Sequence, residues 1–299
     1  MSLAWPSLSD LLVSSQEAAP IGLLGAPLAA GSVTPGRCDL APQALRAILP
    51  RIARYDIDTG RECGRAIADL GDLPLRDLTI ENATPPICDG VSDSVGKHSL
   101  TLLIGGNNAV TRPGFHGMAA ATGLALADVG LITLDAHFDM RSTADGLANG
   151  NPVRALLEDG LPGRNIVQMG LAPFANSKGM HNEALAAGNL VVPLAEFERA
   201  GVAASVARAL DRLAHCAAIM VDCDIDVIDR SQFPAAPGAR AGGMAARDFF
   251  AAARLLAADR RVKLLDLTEW DPPLDPSDLS ALTAGRWLAE VVAGFDARA

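Results

Sequence analysis

The chain has 299 residues, of which 49% are apolar, and its formal net charge is −10. This length and composition are sufficient for one large α/β domain with a well-covered core. The negative charge is spread along the chain without a basic run, so most of the surface would repel nucleic acid, which we exclude as a partner. We also expect no membrane segment, because no apolar run approaches the roughly 20 residues that cross a bilayer.

The five cysteines are odd in number and form no Cys-x-x-Cys pair. The N-terminal residues lack the basic start of a signal peptide. We therefore expect a cytoplasmic protein whose thiols stay reduced.

Short apolar segments alternate with amphipathic helical patterns along almost the whole chain. We predict eight strands, at residues 21–27, 66–72, 99–105, 131–137, 165–171, 190–194, 217–226 and 262–270. Several are apolar on both faces, as buried parallel strands are. Apolar residues recur at three and four positions in segments 42–49, 204–214 and 246–258, which predicts helices. We therefore predict one domain over 1–299, with helices on both faces of a mostly parallel sheet and residues 1–18 loosely attached.

Polar residues cluster where four of the predicted strands end. These clusters are Gly-Gly-Asn-Asn at 105–108, Asp-Ala-His-Phe-Asp at 135–139, Asp-Cys-Asp-Ile-Asp at 222–226, and Glu269. In a parallel sheet, ligands bind at the carboxyl ends of the strands. We therefore expect the four clusters to meet at one edge of the sheet.

The second and third clusters indicate a metal centre. Alternation along an extended segment directs three side chains of each cluster to one side, namely Asp135, His137 and Asp139, and Asp222, Asp224 and Asp226. One Asp-x-Asp pair is weak evidence, because aspartate often caps loops, but two triples in one cavity would repel each other without cations. Oxygen ligands with one imidazole suit Mn²⁺ or Mg²⁺. Two ions bridged by carboxylates would lower the pKa of a shared water.

These motifs resemble those of the ureohydrolase family, which includes arginase, agmatinase and formimidoylglutamase. DAHFD resembles the family's DAHxD metal motif, and DCDIDVIDRSQFPAAPG (222–238) resembles its second metal-binding segment. Segments 25–46, 68–72 and 267–285 are also similar to family patterns, so the resemblance covers nearly the whole chain. It implies a three-layer α/β/α fold around an eight-stranded, mostly parallel sheet, two Mn²⁺ ions, and self-association as a trimer or hexamer.

The resemblance also implies roles for individual residues. Asp135 and Asp224 would bridge the two ions, His137 and Asp226 would complete one site, and Asp139 would complete the other.

The implied reaction is hydrolysis of a C–N bond in a small amidine or guanidine substrate. Glu269 would hold the cationic group of the substrate through a charge-assisted contact. A metal-bridging hydroxide would then attack the amidine carbon. Asp139 and Glu269 are accordingly the candidate catalytic residues.

The chain departs from the family pattern at Asn108, which stands where the family has a metal-binding histidine. An amide oxygen binds Mn²⁺ less strongly than imidazole does, so we expect one of the two sites to be weak. His116 is a candidate substitute ligand, and the alternative is a packing or surface histidine.

A second departure lies at residues 147–154, where arginase and agmatinase have a histidine that shuttles protons. Formimidoylglutamases also lack this histidine, which favours a formimidoylglutamase-like activity. Asn149 and Arg154 would then bind a substrate carboxylate, although Arg154 is alternatively a helix-surface charge. Arg230 replaces a proline, and the segment up to Gly238 is longer than usual, so we expect a reshaped loop there.

Two alternatives remain open from the sequence. One is an agmatinase-like or guanidino-acid-hydrolase-like activity that releases urea. The other is a non-catalytic protein whose metal site has degenerated.

Overall fold

The computed structural model describes residues 5–298. Its eleven strands are β1 (Leu12–Ser14), β2 (Ile21–Ala26), β3 (Tyr55–Asp56), β4 (Arg61–Glu62), β5 (Ile67–Asp72), β6 (Leu100–Gly105), β7 (Val129–Leu134), β8 (Ile166–Leu171), β9 (Leu190–Pro193), β10 (Ala218–Asp224) and β11 (Val262–Thr268). Nine of them form one sheet in the order β1-β5-β2-β6-β11-β10-β7-β8-β9. All neighbours in this sheet are parallel. Strands β3 and β4 form a separate antiparallel pair.

The nine α-helices of residues 5–298 cover both faces of the sheet. They are α1 (Ala41–Ile48), α2 (Ile80–Lys97), α3 (Thr111–Thr122), α4 (Pro152–Glu158), α5 (Lys178–Ala187), α6 (Leu194–Ala200), α7 (Val202–Arg212), α8 (Ala246–Ala258) and α9 (Leu279–Asp296). One apolar core contains residues of α1, α6, α7, α8 and α9, and the other contains residues of α2, α3, α4 and α5. The fold therefore has three layers, as predicted.

Side chains that alternate along a strand contribute to the two apolar cores in turn. In β7, Ile132 and Leu134 belong to one core, whereas Leu131 belongs to the other. Because both faces are covered by helices, the strand is buried along its whole length. This double burial explains why the strands read as continuous apolar segments.

The eight predicted strands are all present, but the sheet has a ninth strand, so the predicted count was wrong. The additional strand, β1, pairs with β5 at the edge of the sheet. Leu8 and Leu11, just before it, are buried at 0% and 4% exposure. The expectation that residues 1–18 are loosely attached is therefore wrong for residues 8–14, while residues 1–4 lie outside the described chain.

Strands β6, β11, β10 and β7 are neighbours in the middle of the sheet. They are the four strands whose carboxyl ends carry the polar clusters found in the sequence. The fold therefore brings the clusters together at the centre of one edge. Within residues 5–298, no helix has the length and apolar character that crossing a membrane requires.

Candidate metal centre

The DAHFD segment follows β7 as a loop rather than as a continuation of the strand. The carbonyl oxygens of Ala136 and Phe138 accept hydrogen bonds from Asn176 Nδ2 and Gln168 Nε2, both of 2.8 Å. Asn176 Oδ1 also accepts from the Phe138 amide at 2.9 Å. The predicted extended alternation was therefore wrong in detail, and it is a loop fixed by Asn176 and Gln168 that directs the three polar side chains.

Two groups of side chains have the geometry of metal ligands. In one group, ligand atoms of Asp135, His137 and Asp226 lie within 4.8 Å of one another. In the other, those of Asp135, Asp139 and Asp224 do so. Asp135 belongs to both groups. The structure thus brings together the five acidic and imidazole residues for which the sequence predicts metal binding.

Burial and mutual repulsion govern the protonation of this cluster. Burial, reinforced by Asp226, raises the pKa of Asp135 to about 7, and burial first of all raises the pKa values of Asp139 and Asp224 well above their usual range. Burial would also raise the pKa of Asp226, but His137 beside it lowers that pKa. Burial alone would lower the pKa of His137, whereas Asp226 and Asp135 raise it to about 11.

The cluster fits divalent cations. Asp226 Oδ1 is buried and has no hydrogen-bond partner among the described residues. The ion pairs that Asp135 and Asp226 form within residues 5–298 are both with His137, at 3.5 and 3.0 Å between Nδ1 and the carboxylate oxygen. Four buried carboxylates with one cationic partner are strongly unfavourable unless further positive charge is present. Carboxylate oxygens with one imidazole form a donor set suited to Mn²⁺ or Mg²⁺.

Asn108 lies beside the second ligand group, in contact with Asp139. Its Nδ2 donates to Asp139 Oδ2 at 2.5 Å, and its Oδ1 accepts from Thr111 Oγ1 at 2.6 Å. An amide nitrogen that donates to a carboxylate has no lone pair to offer a metal ion. In this orientation Asn108 holds the carboxylate of Asp139 in place.

Glu269 follows β11 and lies within reach of the same cavity. Its Oε1 accepts hydrogen bonds from the Asn108 backbone amide at 2.7 Å and from Asn149 Nδ2 at 2.9 Å. Burial raises the pKa of Glu269 to about 7, while these two hydrogen bonds favour the ionised form. Asn149 therefore orients the carboxylate of Glu269.

Two residues near the candidate site have backbone angles that are unfavourable for any residue with a Cβ. Asp139 has φ of +50° and Glu269 has φ of +61°. Such left-handed conformations cost free energy and concentrate at functional sites. Both residues are candidate catalytic residues from the sequence.

Other sequence candidates lie away from the ligand groups. Arg154 is on α4, pairs with Glu183 and is not among the described residues that line the cavity. His116 Nε2 donates a 2.7 Å hydrogen bond to Asp159 Oδ2, and His116 is not in either ligand group of the described chain. Asp222 is fully buried within β10 and also lies outside both groups.

The cavity beside the ligand groups has a volume of about 350 Å³. His137, Asp139, Asp224, Asp226 and Glu269 line it together with Arg141 and Arg240. Neither arginine was predicted from the sequence to have a role. Arg141 stands two residues after Asp139, and that closeness to the DAHFD motif was the one signal that could have identified it.

Two ligand groups that share a carboxylate at the carboxyl edge of a parallel sheet define an α/β protein with a candidate dinuclear metal centre. The model of the arginase family matches residues 19–294, and the chain belongs to this family. The predicted ureohydrolase resemblance is therefore confirmed.

Several relatives resemble the chain over most of its length. Formimidoylglutamase of Halalkalibacterium halodurans is 28% identical over 279 residues, which cover 91% of this chain and 86% of that protein. Guanidinopropionase of Pseudomonas aeruginosa is 27% identical over 288 residues, which cover 91% and 85%. The structure of Trypanosoma cruzi formiminoglutamase with two Mn²⁺ ions has a TM-score of 0.90 at 23% identity, and the match covers 99% of this chain and 100% of that chain. A variant of that enzyme with histidine in place of an asparagine also has a TM-score of 0.90. These comparisons confirm the three-layer fold and the predicted likeness to formimidoylglutamases.

Proposed function

We propose that this protein is a manganese-dependent hydrolase of C–N bonds in linear amidines, of the formimidoylglutamase kind. The observation that carries the proposal is the position of Asp135 in both ligand groups, next to a cavity that Glu269 lines. Such an arrangement suits two ions that share one carboxylate. The formimidoylglutamase relatives support the choice of amidine substrate.

The described residues would hold the two ions as follows. Asp135, His137 and Asp226 form one ligand group, and Asp135, Asp139 and Asp224 form the other. When bound, Mn²⁺ ions supply a water of lowered pKa, which is a nucleophile near neutral pH. Asp224 Oδ1 also accepts a 2.9 Å hydrogen bond from the Asp226 backbone amide, which holds the Asp224 carboxylate in place.

Glu269 would bind the amidine group. An amidine is a cation at neutral pH, and a buried carboxylate that already accepts two hydrogen bonds is preorganised to pair with it. Asn149 would keep this carboxylate in place through its 2.9 Å hydrogen bond. The substrate carbon would then lie beside the ligand groups.

A direct assay tests the proposal. Purified protein loaded with Mn²⁺ is incubated with formimidoylglutamate, agmatine and arginine, and release of formamide or urea is measured. We expect formamide from formimidoylglutamate. Release of urea alone would contradict the proposed substrate class.

The second candidate function is hydrolysis of a guanidino acid with release of urea. The observation that favours it is the similarity to guanidinopropionase, which covers 91% of the chain. Including 3-guanidinopropionate in the same assay separates the two activities, because the products differ.

A non-catalytic role is the alternative of another class, and metal analysis distinguishes it. An active member should bind close to two ions per chain. A preparation with one ion or none, and without turnover of any of these compounds, would indicate a degenerate site. The hydrogen bond between Asn108 and Asp139 is the feature that favours this alternative.

We expect a homo-oligomer, a trimer or hexamer, and a cytoplasmic enzyme whose substrate is a small molecule. The five cysteines are unpaired, and Cys38, Cys63, Cys216 and Cys223 are buried, which suits a reducing compartment. Light scattering of the purified protein would measure the oligomer.

A further inference from the structure

We propose that Arg141 and Arg240 determine specificity by binding carboxylates at the far end of the substrate. They would bind the two carboxylates of the proposed formimidoylglutamate-like substrate. This inference rests on the proposed function and extends it, because it identifies the residues that choose among amidines.

The charges that line the cavity are separated. The acidic residues that line it are buried: three belong to the ligand groups and one lies beside them, namely Asp139, Asp224, Asp226 and Glu269. Arg141 and Arg240 line the same cavity but are exposed. The inner end of the cavity is therefore anionic and its outer end is cationic. A molecule with a cationic amidine at one end and carboxylates at the other complements this arrangement.

Neither arginine forms an ion pair with a carboxylate among residues 5–298. Elsewhere on this part of the chain, arginines do have such partners, as Arg112 has in Asp159 and Arg154 has in Glu183. Guanidinium groups bind carboxylates through two parallel hydrogen bonds, and this geometry gives both affinity and orientation. Arg240 Nη1 donates to the backbone carbonyls of Gly238 and Ala239, so its guanidinium group is oriented without having its charge neutralised. Two guanidinium groups without a carboxylate partner among the described residues, at the mouth of an acidic cavity, are therefore suited to an anionic ligand.

The position of Arg141 depends on Gly150. The Arg141 backbone amide donates to the Gly150 carbonyl at 3.0 Å. A Cβ at position 150 would lie 2.8 Å from Arg141 Cδ and 3.0 Å from its Nε, so the arginine side chain passes directly over the glycine. The preceding residue, Asn149, orients Glu269. The same short segment therefore positions a group for each end of the substrate.

The position of Arg240 depends on a loop that is held together by hydrogen bonds. Asp229 accepts hydrogen bonds from the backbone amides of Ser231 and Gly242, at 2.8 and 2.6 Å, which joins the two ends of the loop. The Arg230 amide donates to the Arg240 carbonyl at 3.0 Å. This is the segment that the sequence indicated to be longer than in the family and altered at Arg230. Its function, on this inference, is to bring Arg240 to the cavity beside Asp226.

The two arginines come from separate loops, so a ligand with two carboxylates can engage both, and a ligand with one carboxylate engages one at a time. An amidine with a cationic tail, such as agmatine, would meet two like charges and be disfavoured. The pair therefore selects against cationic tails as well as for acidic ones.

Kinetics of Arg141→Met and Arg240→Met test the proposal, with Arg247→Met as the control. Arg247 has a side chain that is 88% exposed and does not line the cavity of the described chain. With formimidoylglutamate, we expect each cavity variant to raise KM by about 10- to 100-fold, with kcat changed by less than about threefold. Wild-type KM in both variants would overturn the proposal, as would a raised KM confined to Arg154→Met.

Binding of glutarate tests the arginine pair without turnover. Calorimetry on the Mn²⁺-loaded protein should show glutarate binding to the wild type and to Arg247→Met, and binding at least about tenfold weaker to Arg141→Met and Arg240→Met at equal metal content. This result would support the inference even if no amidine were hydrolysed. Absence of glutarate binding to the wild type, or equal binding by all variants, would overturn it.

Discussion

Asn108 donates a 2.5 Å hydrogen bond to Asp139, one of the carboxylates of the second ligand group. The amide is held in this orientation from its other side, because Oδ1 accepts from Thr111. The uncharged amide nitrogen of Asn108 therefore lies next to the second ligand group, whose own ligand atoms are all carboxylate oxygens. We therefore predict that the two ligand groups are unequal and that the second binds Mn²⁺ more weakly.

Replacing Asn108 with histidine should strengthen the second group. An imidazole nitrogen is a better ligand for Mn²⁺ than an amide and would no longer donate to Asp139. We expect more Mn²⁺ per chain after dialysis, measured by plasma mass spectrometry. The control is Asn108→Ala, which removes the hydrogen bond without adding a ligand. Equal metal contents for the two variants would contradict this prediction.

Replacing Asp135 with alanine should remove both ions. Asp135 is shared by the two groups, whereas Asp226 belongs to one, so Asp226→Ala should retain part of the metal. The matched control is Asp222→Asn, since Asp222 is equally buried but lies in neither group of the described chain. Metal analysis measures all three variants. The assignment of the shared ligand fails if Asp135→Ala and Asp226→Ala lose the same amount.

Replacing Gly238 with alanine should impair the first group. A Cβ there would lie 1.9 Å from Asp226 Oδ2 and 3.1 Å from His137 Cε1, so the carboxylate has to move. We expect weaker Mn²⁺ binding with the fold retained, measured by metal titration and circular dichroism. The control is Gly96→Ala, because a Cβ at Gly96 meets nothing within 4 Å. That variant should bind metal normally and gain up to about 1 kcal/mol in the free energy of unfolding.

The metal-free protein should lose stability as the pH rises. The pKa values of Asp135 and Glu269 are raised to about 7, so these groups keep protons in the folded state that they lose in the unfolded state, and stability falls between about pH 4 and pH 7. The pKa of His137 is raised to about 11, so its stabilising contribution is complete below about pH 6.5 and is lost toward pH 11.

Thermal unfolding measures this effect. With a chelator present, the midpoint temperature of unfolding should be lower at about pH 8 than at about pH 5. Adding Mn²⁺ should raise this midpoint more at the higher pH, because ions and protons compete for the same carboxylates. A chelator-treated protein that becomes more stable with rising pH would disprove the assigned direction.

Replacing Glu269 with glutamine should weaken substrate binding while leaving the metal in place. The amide keeps the size of the side chain and can still accept hydrogen bonds, but it lacks the charge that attracts an amidine. We expect KM to rise by about 10- to 100-fold. Steady-state kinetics with metal analysis checks the result, and loss of Mn²⁺ in this variant would indicate that Glu269 supports the metal centre instead.

The arrangement of layers could be predicted from the sequence because both faces of each central strand are apolar. The elements that were missed are those whose local signal is weak. Strand β1 has only three residues, none of them fully buried, and α2 contains Pro85 and Pro86, which disfavour a helix interior. Both elements form because of tertiary packing, and local sequence does not predict them.

The ligand groups were predictable because aspartates at strand ends are conspicuous and match a family motif. The side chains around them were not. Arg154 precedes its partner Glu183 by 29 residues, so only the fold reveals their pairing. Arg141 and Arg240 lie in loops, where no periodicity indicates the direction of a side chain.

The positive φ angles of Asp139 and Glu269 have a consequence for the evolution of the protein. Each such residue costs on the order of 1–3 kcal/mol. Glycine at either position would relieve that cost, and we expect the resulting protein to be more stable but inactive. Selection for heat resistance alone, in a laboratory library, should therefore enrich glycine at 139 and 269, whereas selection for turnover should purge it.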